Sequence, residues 1–126
     1  RRAGRAAGRR PEYLAAHQAF TSKRGQIEQT LRLMLEPLLI APENIKTGID
    51  FLGDNITAAL QLGDMAHVSA EVDWLKALLQ AYQTDPRQLI YFMETYSTAV
   101  NKNINGQGRP ISQWLSTEVE KLKLKS

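Results

Sequence analysis

Apolar residues recur along this chain at steps of three, four and seven, the period of one helix face, in five separate stretches. In the first, Tyr13, Phe20, Ile27, Leu31, Met34 and Leu38 form the stripe. Pro11 suits the first turn of that helix, with Glu12 beside the positive end of its dipole. Gly25 and Pro37 disfavour helix by about 1 and about 3 kcal/mol relative to alanine, which predicts a bend or break near each.

The second stretch opens at Pro42 and places Ile45, Ile49, Leu52, Ile56 and Ala59 or Leu60 on one face, with Gly63 as its C-terminal stop. Gly48 and Gly53 lie inside it, where a closely approaching neighbour is the expected compensation. Asp64 reads as the N-cap of a third helix with Val68, Val72, Leu75, Leu79 and Tyr82 inward and Trp74 and Leu78 alongside. Thr84-Asp85-Pro86 then reads as turn, cap and first helical residue. The fourth helix carries Leu89, Met93, Tyr96 and Val100, a face widened by Ile90, Phe92 and Ile104.

Asn105-Gly106-Gln107-Gly108-Arg109-Pro110 is the clearest loop, and neither flank alternates as a hairpin strand would. A last helix follows from about Pro110, with Ile111, Trp114, Leu115, Val119 and Leu122 inward. Lys121, Lys123 and Lys125 sit in its last turns, where cations suit the dipole. No run alternates strongly enough to be a strand. Short connections between five amphipathic helices predict an all-α fold, a single antiparallel bundle over residues 11–126.

Charge changes the picture at one end only. The net +3 arises because residues 1–10 hold five arginines (Arg1, Arg2, Arg5, Arg9 and Arg10) and no acid, leaving 11 basic against 13 acidic residues elsewhere, a balance of −2. This Arg/Gly/Ala stretch has no apolar period and reads as an arm outside the fold. A vector-derived stretch, a native linker and an arm for nucleic acid or an acidic partner all fit it. A native arm of this kind would bind phosphate non-specifically and with strong salt dependence. Beyond the arm no helix carries a basic stripe.

Cysteine is absent, which excludes disulfides, thiolate zinc sites, thiol nucleophiles and thioether-linked cofactors. It fits a reducing compartment, and a cytoplasmic location is expected. The longest apolar run, Leu38-Leu39-Ile40-Ala41, falls far short of the roughly 20 residues that span a bilayer, so no membrane association is expected.

Candidate chemistry is sparse. His17 and His67 have no partner at metal-ligand spacing. His17 reads as a surface or rim residue, and His67 lies too near a helix start to reach a haem pocket. Asp64 and His67 could meet on one turn, but Asp64 is needed as a cap. No Gly-x-Ser-x-Gly elbow occurs, and Gly106-x-Gly108 follows a helix and is too short for a dinucleotide loop. No enzyme, cofactor or metal is expected. Trp74, Tyr82, Tyr91, Phe92, Tyr96 and Trp114 cluster in the second half, mostly as core. Trp74, Tyr82, Phe92, Tyr96 and Trp114 are nonetheless candidates to line a small-ligand pocket between helices two to four. Tyr91 and Phe92 cannot both face inward, so one of them lies on a surface free to touch another chain.

Leu52-Gly53-Asp54-Asn55, Ala59-Leu60, Leu62-Gly63-Asp64 and Val72-Asp73-Trp74-Leu75-Lys76-x-Leu78-Leu79 together resemble a helical module of bacterial regulators, found ahead of cobalamin-binding or other signalling domains. The resemblance covers about half the chain. Where that family carries an aromatic shortly before the tryptophan, this sequence has Ser69, Ala70 and Glu71. The Asp-x-His-x-x-Gly loop that ligates cobalt in the adjoining domain is missing. The resemblance therefore implies a sensory or connecting module without a cofactor site of its own. Together with the sparse chemistry, it leads to the expectation of a non-catalytic regulatory or sensory module acting through protein contacts, as a homodimer or with another protein. A small-molecule sensor and a nucleic-acid binder acting through the arm are the alternatives.

Overall fold

The five predicted helices are present in the computed structural model as α1 (Arg2–Leu35), α2 (Pro42–Leu62), α3 (Ala66–Ala81), α4 (Pro86–Asn103) and α5 (Arg109–Lys125), with a 3₁₀ turn at Gly106–Gly108. The structure describes the backbone of residues 2–37, 42–81, 86–104 and 106–125. Within these it describes the side chains other than those at 2–10, 42, 44, 74, 75, 78–81, 86 and 125. Among the described residues there is no strand, so the fold is an all-α helical bundle. No described helix is long and apolar enough to cross a membrane.

Helix α1 organises the bundle, because α2, α4, α5 and the 3₁₀ turn all pack against it. Its buried positions Ala16, Phe20, Ile27, Leu31 and Leu35 lie at steps of four and seven. They meet Ile49, Leu52, Ile56, Ala59 and Leu60 of α2, Met93, Tyr96 and Val100 of α4, and Ile111 and Leu115 of α5 in one continuous core. Each such aliphatic or aromatic side chain contributes about 1.5–3 kcal/mol when fully withdrawn from water. Val68 and Val72 bring α3 onto the same core.

Two expectations for α1 need correction. The helix runs through Pro11, which lies inside it rather than in its first turn, so Glu12 is not at a dipole end. Proline removes one backbone hydrogen bond, but Ala3, Arg5, Ala6 and Ala7 before it are strong helix formers that carry the helix to Arg2. Gly25 does not break α1 either. Phe20 and Ile27 hold the helix on both sides of it by burial, which outweighs a propensity penalty of about 1 kcal/mol. The break before Pro37 is as expected, with α1 ending at Leu35.

Helix ends follow the local chemistry. Gly63 has φ 74° and closes α2, its N–H donating to Leu60 O at 3.2 Å while Asp64 N–H reaches back to Ala59 O at 3.0 Å. Asp64 then turns to the next helix, its Oδ1 accepting from Ala66 N–H at 2.9 Å. Two adjacent residues thus stop α2 and cap α3. The close approaches expected at the inner glycines are present. Phe92 lies 3.5 Å from where a Cβ on Gly48 would stand, and Arg24 lies over Gly53. Leu38, Tyr82, Thr84, Asp85 and Asn105, and the side chains of Trp74, Leu75, Leu78 and Leu79, fall outside the described residues.

Candidate functional site

Trp114 lies on the first turns of α5, on the same face as Pro110, Thr117, Glu118 and Lys121. That face forms one wall of a cleft of about 460 Å³. Met65, Ala66 and Ser69 from the start of α3 form the second wall, and Glu12 and Tyr13 of α1 the third. The tight α2–α3 corner at Gly63 and Asp64 sets the start of α3 against α5. Gly108, buried against Val100 and Ile104, fixes the start of α5 against the end of α4.

A chain of hydrogen bonds runs along the cleft wall. The Trp114 indole N–H donates to Ser69 Oγ at 2.8 Å, and the Ser69 hydroxyl donates to Glu118 Oε2 at 3.0 Å. The Lys121 ammonium donates to the same oxygen at 3.1 Å. Glu118 is only 3% exposed, and a carboxylate so buried requires this kind of satisfaction. The network ties α3 to α5 across 45 residues of sequence at Trp114–Ser69. Ser69 and Lys121 both donate to Glu118, while the Trp114 indole N–H ends on Ser69.

The other candidate residues are placed differently. Phe92 and Tyr96 pair with ring centroids 6.1 Å apart, and neither lines the cleft. Tyr96 is wholly buried, its hydroxyl has no hydrogen-bond partner among the described residues, and burial pushes the phenol well above its usual range. Of the three described members of the expected set Trp74, Tyr82, Phe92, Tyr96 and Trp114, Trp114 lines this cleft and Phe92 and Tyr96 do not. Phe92 and Tyr96 pack at the core on α4 and Trp114 joins the core from α5 while lining the cleft, because the stripe spacing that makes an aromatic inward-facing does not say which cavity it borders. Trp74 and Tyr82 lie outside the described side chains. Tyr91 is exposed while Phe92 packs against the core, as the pair's spacing requires.

His17 is half-buried, with Nε2 enclosed and without a hydrogen-bond partner, and His67 is exposed. Asp64 is occupied by the Ala66 N–H, so no acid–histidine pair forms on that turn. Among the described residues no three His, Asp or Glu side chains converge as a metal ion would need. The backbone of Arg2, Arg5, Arg9 and Arg10 continues α1, while their side chains and Arg1 lie outside the described residues.

A second polar node sits between α1 and α2. Arg24 donates from Nε to Glu28 Oε2 and from Nη2 to Asp54 Oδ1, both at 2.8 Å. Burial works against the charge of Arg24, but the two carboxylates outweigh it and its guanidinium is held above its ordinary pKa. This is a structural clamp across the helix pair.

Sequence reasoning missed Ser69, Glu118 and Lys121 as a unit. One signal for it was present: Glu118 stands four residues after Trp114, between Leu115 and Val119, on a face where an unpartnered acid would be costly. The chain matches no family model, no curated protein and no solved structure.

Proposed function

We propose that this chain is a non-catalytic helical regulatory module that works by contact with another protein chain, a second copy of itself included, through the cleft between α1, α3 and α5. The observation that carries the reading is the hydrogen-bonded cleft wall, in which Trp114, Ser69, Glu118 and Lys121 hold one another in place. Such a wall offers a preformed aromatic and polar surface. Tryptophan and tyrosine on a preformed surface are the side chains that most often anchor protein contacts.

A small-molecule site is less well supported. The volume suits a metabolite, but the cleft is open and as polar as it is apolar, whereas small-ligand pockets enclose their guests in mostly apolar walls. Nucleic-acid binding rests on the arginine arm alone.

The test is a photo-reactive benzophenone side chain at Gln113, on the cleft lining, combined with sedimentation mass at micromolar and near-millimolar concentration. A cross-link to a second chain, with concentration-dependent mass for a self-complex, supports the reading. A strict monomer that cross-links to no protein, alone or in extract of the source cell, contradicts it.

A further inference from the structure

We infer that the cleft takes an arginine side chain presented by a partner protein, its guanidinium lying against Tyr13 and Trp114 and bonding to Glu12 and Glu118. The inference rests on the docking role proposed above and names the group that would be docked. It follows from which groups of the cleft remain free to bond. The indole N–H of Trp114 is used by Ser69, and the Ser69 hydroxyl hydrogen is used by Glu118. The amides at the start of α3 are used as well: Ala66 N–H by Asp64 Oδ1, His67 N–H by Asp64 O at 3.4 Å, and Val68 N–H by Met65 O at 3.1 Å. The usual anion-binding feature of a helix start is therefore spent.

What the cleft still offers is two aromatic rings and carboxylate oxygen. Glu12 is exposed at the lining and makes no ion pair or hydrogen bond among the described residues. Among the described residues the charged lining groups Glu12, Glu118 and Lys121 sum to −1. Among the described residues Lys121 is the competing cation at the lining. Its side chain is 57% exposed and holds Glu118 by one contact of 3.1 Å, the kind of solvent-screened pair that contributes little. A guanidinium is a better occupant than an ammonium for this geometry. It is planar, stacks on aromatic faces, sheds water more readily, and can engage two carboxylates through its fork.

The experiment uses the full chain, labelled with ¹⁵N, and four capped pentapeptides with glycine around a central arginine, citrulline, lysine or glutamate. Citrulline keeps the shape of arginine and removes its charge. The readout is the saturable shift of the Trp114 indole N–H and the Gln113 and Thr117 amides. The arginine peptide is expected to shift these resonances and to bind roughly tenfold more tightly than the citrulline peptide, the worth of one charge-assisted pair. Glu12→Gln, which alters an exposed residue without touching the core, should weaken arginine binding several-fold. Lys121→Ala should strengthen it by freeing Glu118, an effect opposite in sign to any general loss of structure.

Equal binding of arginine and citrulline, preference for the glutamate peptide, weakening by Lys121→Ala, or no saturable shift at these positions would overturn the inference. If the peptides fail while the Gln113 cross-link to a protein chain still forms, the arginine assignment falls and the docking role stands. If the cross-link also fails, both fall.

Discussion

The guanidinium of Arg24 occupies the space that a side chain at Gly53 would need: a Cβ there would stand 2.6 Å from Nη2 and 2.7 Å from Cζ. The missing methyl is what lets Arg24 lie across α2 and reach Asp54 while it holds Glu28. Glycine inside a helix costs about 1 kcal/mol relative to alanine, and here that cost is exchanged for the clamp.

A double-mutant cycle measures this exchange. Gly53→Ala in the native background is expected within about 0.5 kcal/mol of neutral, because the propensity gain is offset by the displaced guanidinium. In an Arg24→Ala background the same change is expected to stabilise by roughly 0.5–1 kcal/mol, with nothing left to displace. Urea unfolding of the four proteins gives the coupling. Equal effects in both backgrounds would show that Arg24 and Gly53 are independent.

Two other glycines are expected to respond with opposite signs. Gly25 sits in mid-helix with nothing within 4 Å of an added Cβ, so Gly25→Ala should stabilise by about 0.5–1 kcal/mol. Gly63 has φ 74°, a left-handed conformation that disfavours a side chain, and Gly63→Ala should destabilise by about 1 kcal/mol despite equally open space. Chemical denaturation distinguishes the two, and a stabilising Gly63→Ala would contradict the turn geometry at the α2–α3 corner.

Tyr96 gives a pH prediction. Its phenol is wholly buried without a hydrogen-bond partner among the described residues, and burial raises its pKa above the ordinary value of 10.0. A group whose folded pKa is raised supports the fold fully below the unfolded pKa and loses that support as pH climbs toward the folded one. Stability should therefore decline above about pH 10, where the unfolded chain ionises and the native one resists. Tyr96→Phe removes the unpaired hydroxyl and the titration together. It is expected to be neutral or stabilising by about 1 kcal/mol at pH 7, and to flatten the alkaline decline. A steep loss of stability at neutral pH in the variant would mean that the hydroxyl has a partner.

The sequence carried the bundle well and the cleft poorly, for one physical reason. Burial patterns repeat locally, so Phe20, Ile27 and Leu31, or Met93, Tyr96 and Val100, identify a helix face without knowledge of its neighbour. The turn at Gly63 and the cap at Asp64 are equally local and were legible for the same reason. A cleft is assembled from elements distant in sequence, and Ser69 meets Trp114 only after α3 and α5 have docked. Proline propensity misplaced the start of α1, where the alanines and arginines around Pro11 favour helix strongly enough to continue through it. Inward aromatics were legible as inward, but not that Trp114, buried in the core, also lines the cleft while Phe92 and Tyr96 do not.

Ser69 is the link on which the cleft wall depends. Ser69→Ala deprives the Trp114 indole of its acceptor and Glu118 of a donor at once, and should destabilise the fold by about 1–3 kcal/mol. Thermal or urea unfolding checks the loss. A change within about 0.5 kcal/mol of zero would mean that solvent already satisfies both groups.

The central claim is that the α3–α5 wall is preformed in the free protein, with Trp114 held in place for a partner to dock against. Hydrogen exchange at the Trp114 indole N–H tests this most directly. We predict slow exchange in the native protein, accelerated strongly by Ser69→Ala while the α1 and α4 core amides stay protected. Exchange of that N–H at the rate of free tryptophan in the native protein would contradict the account.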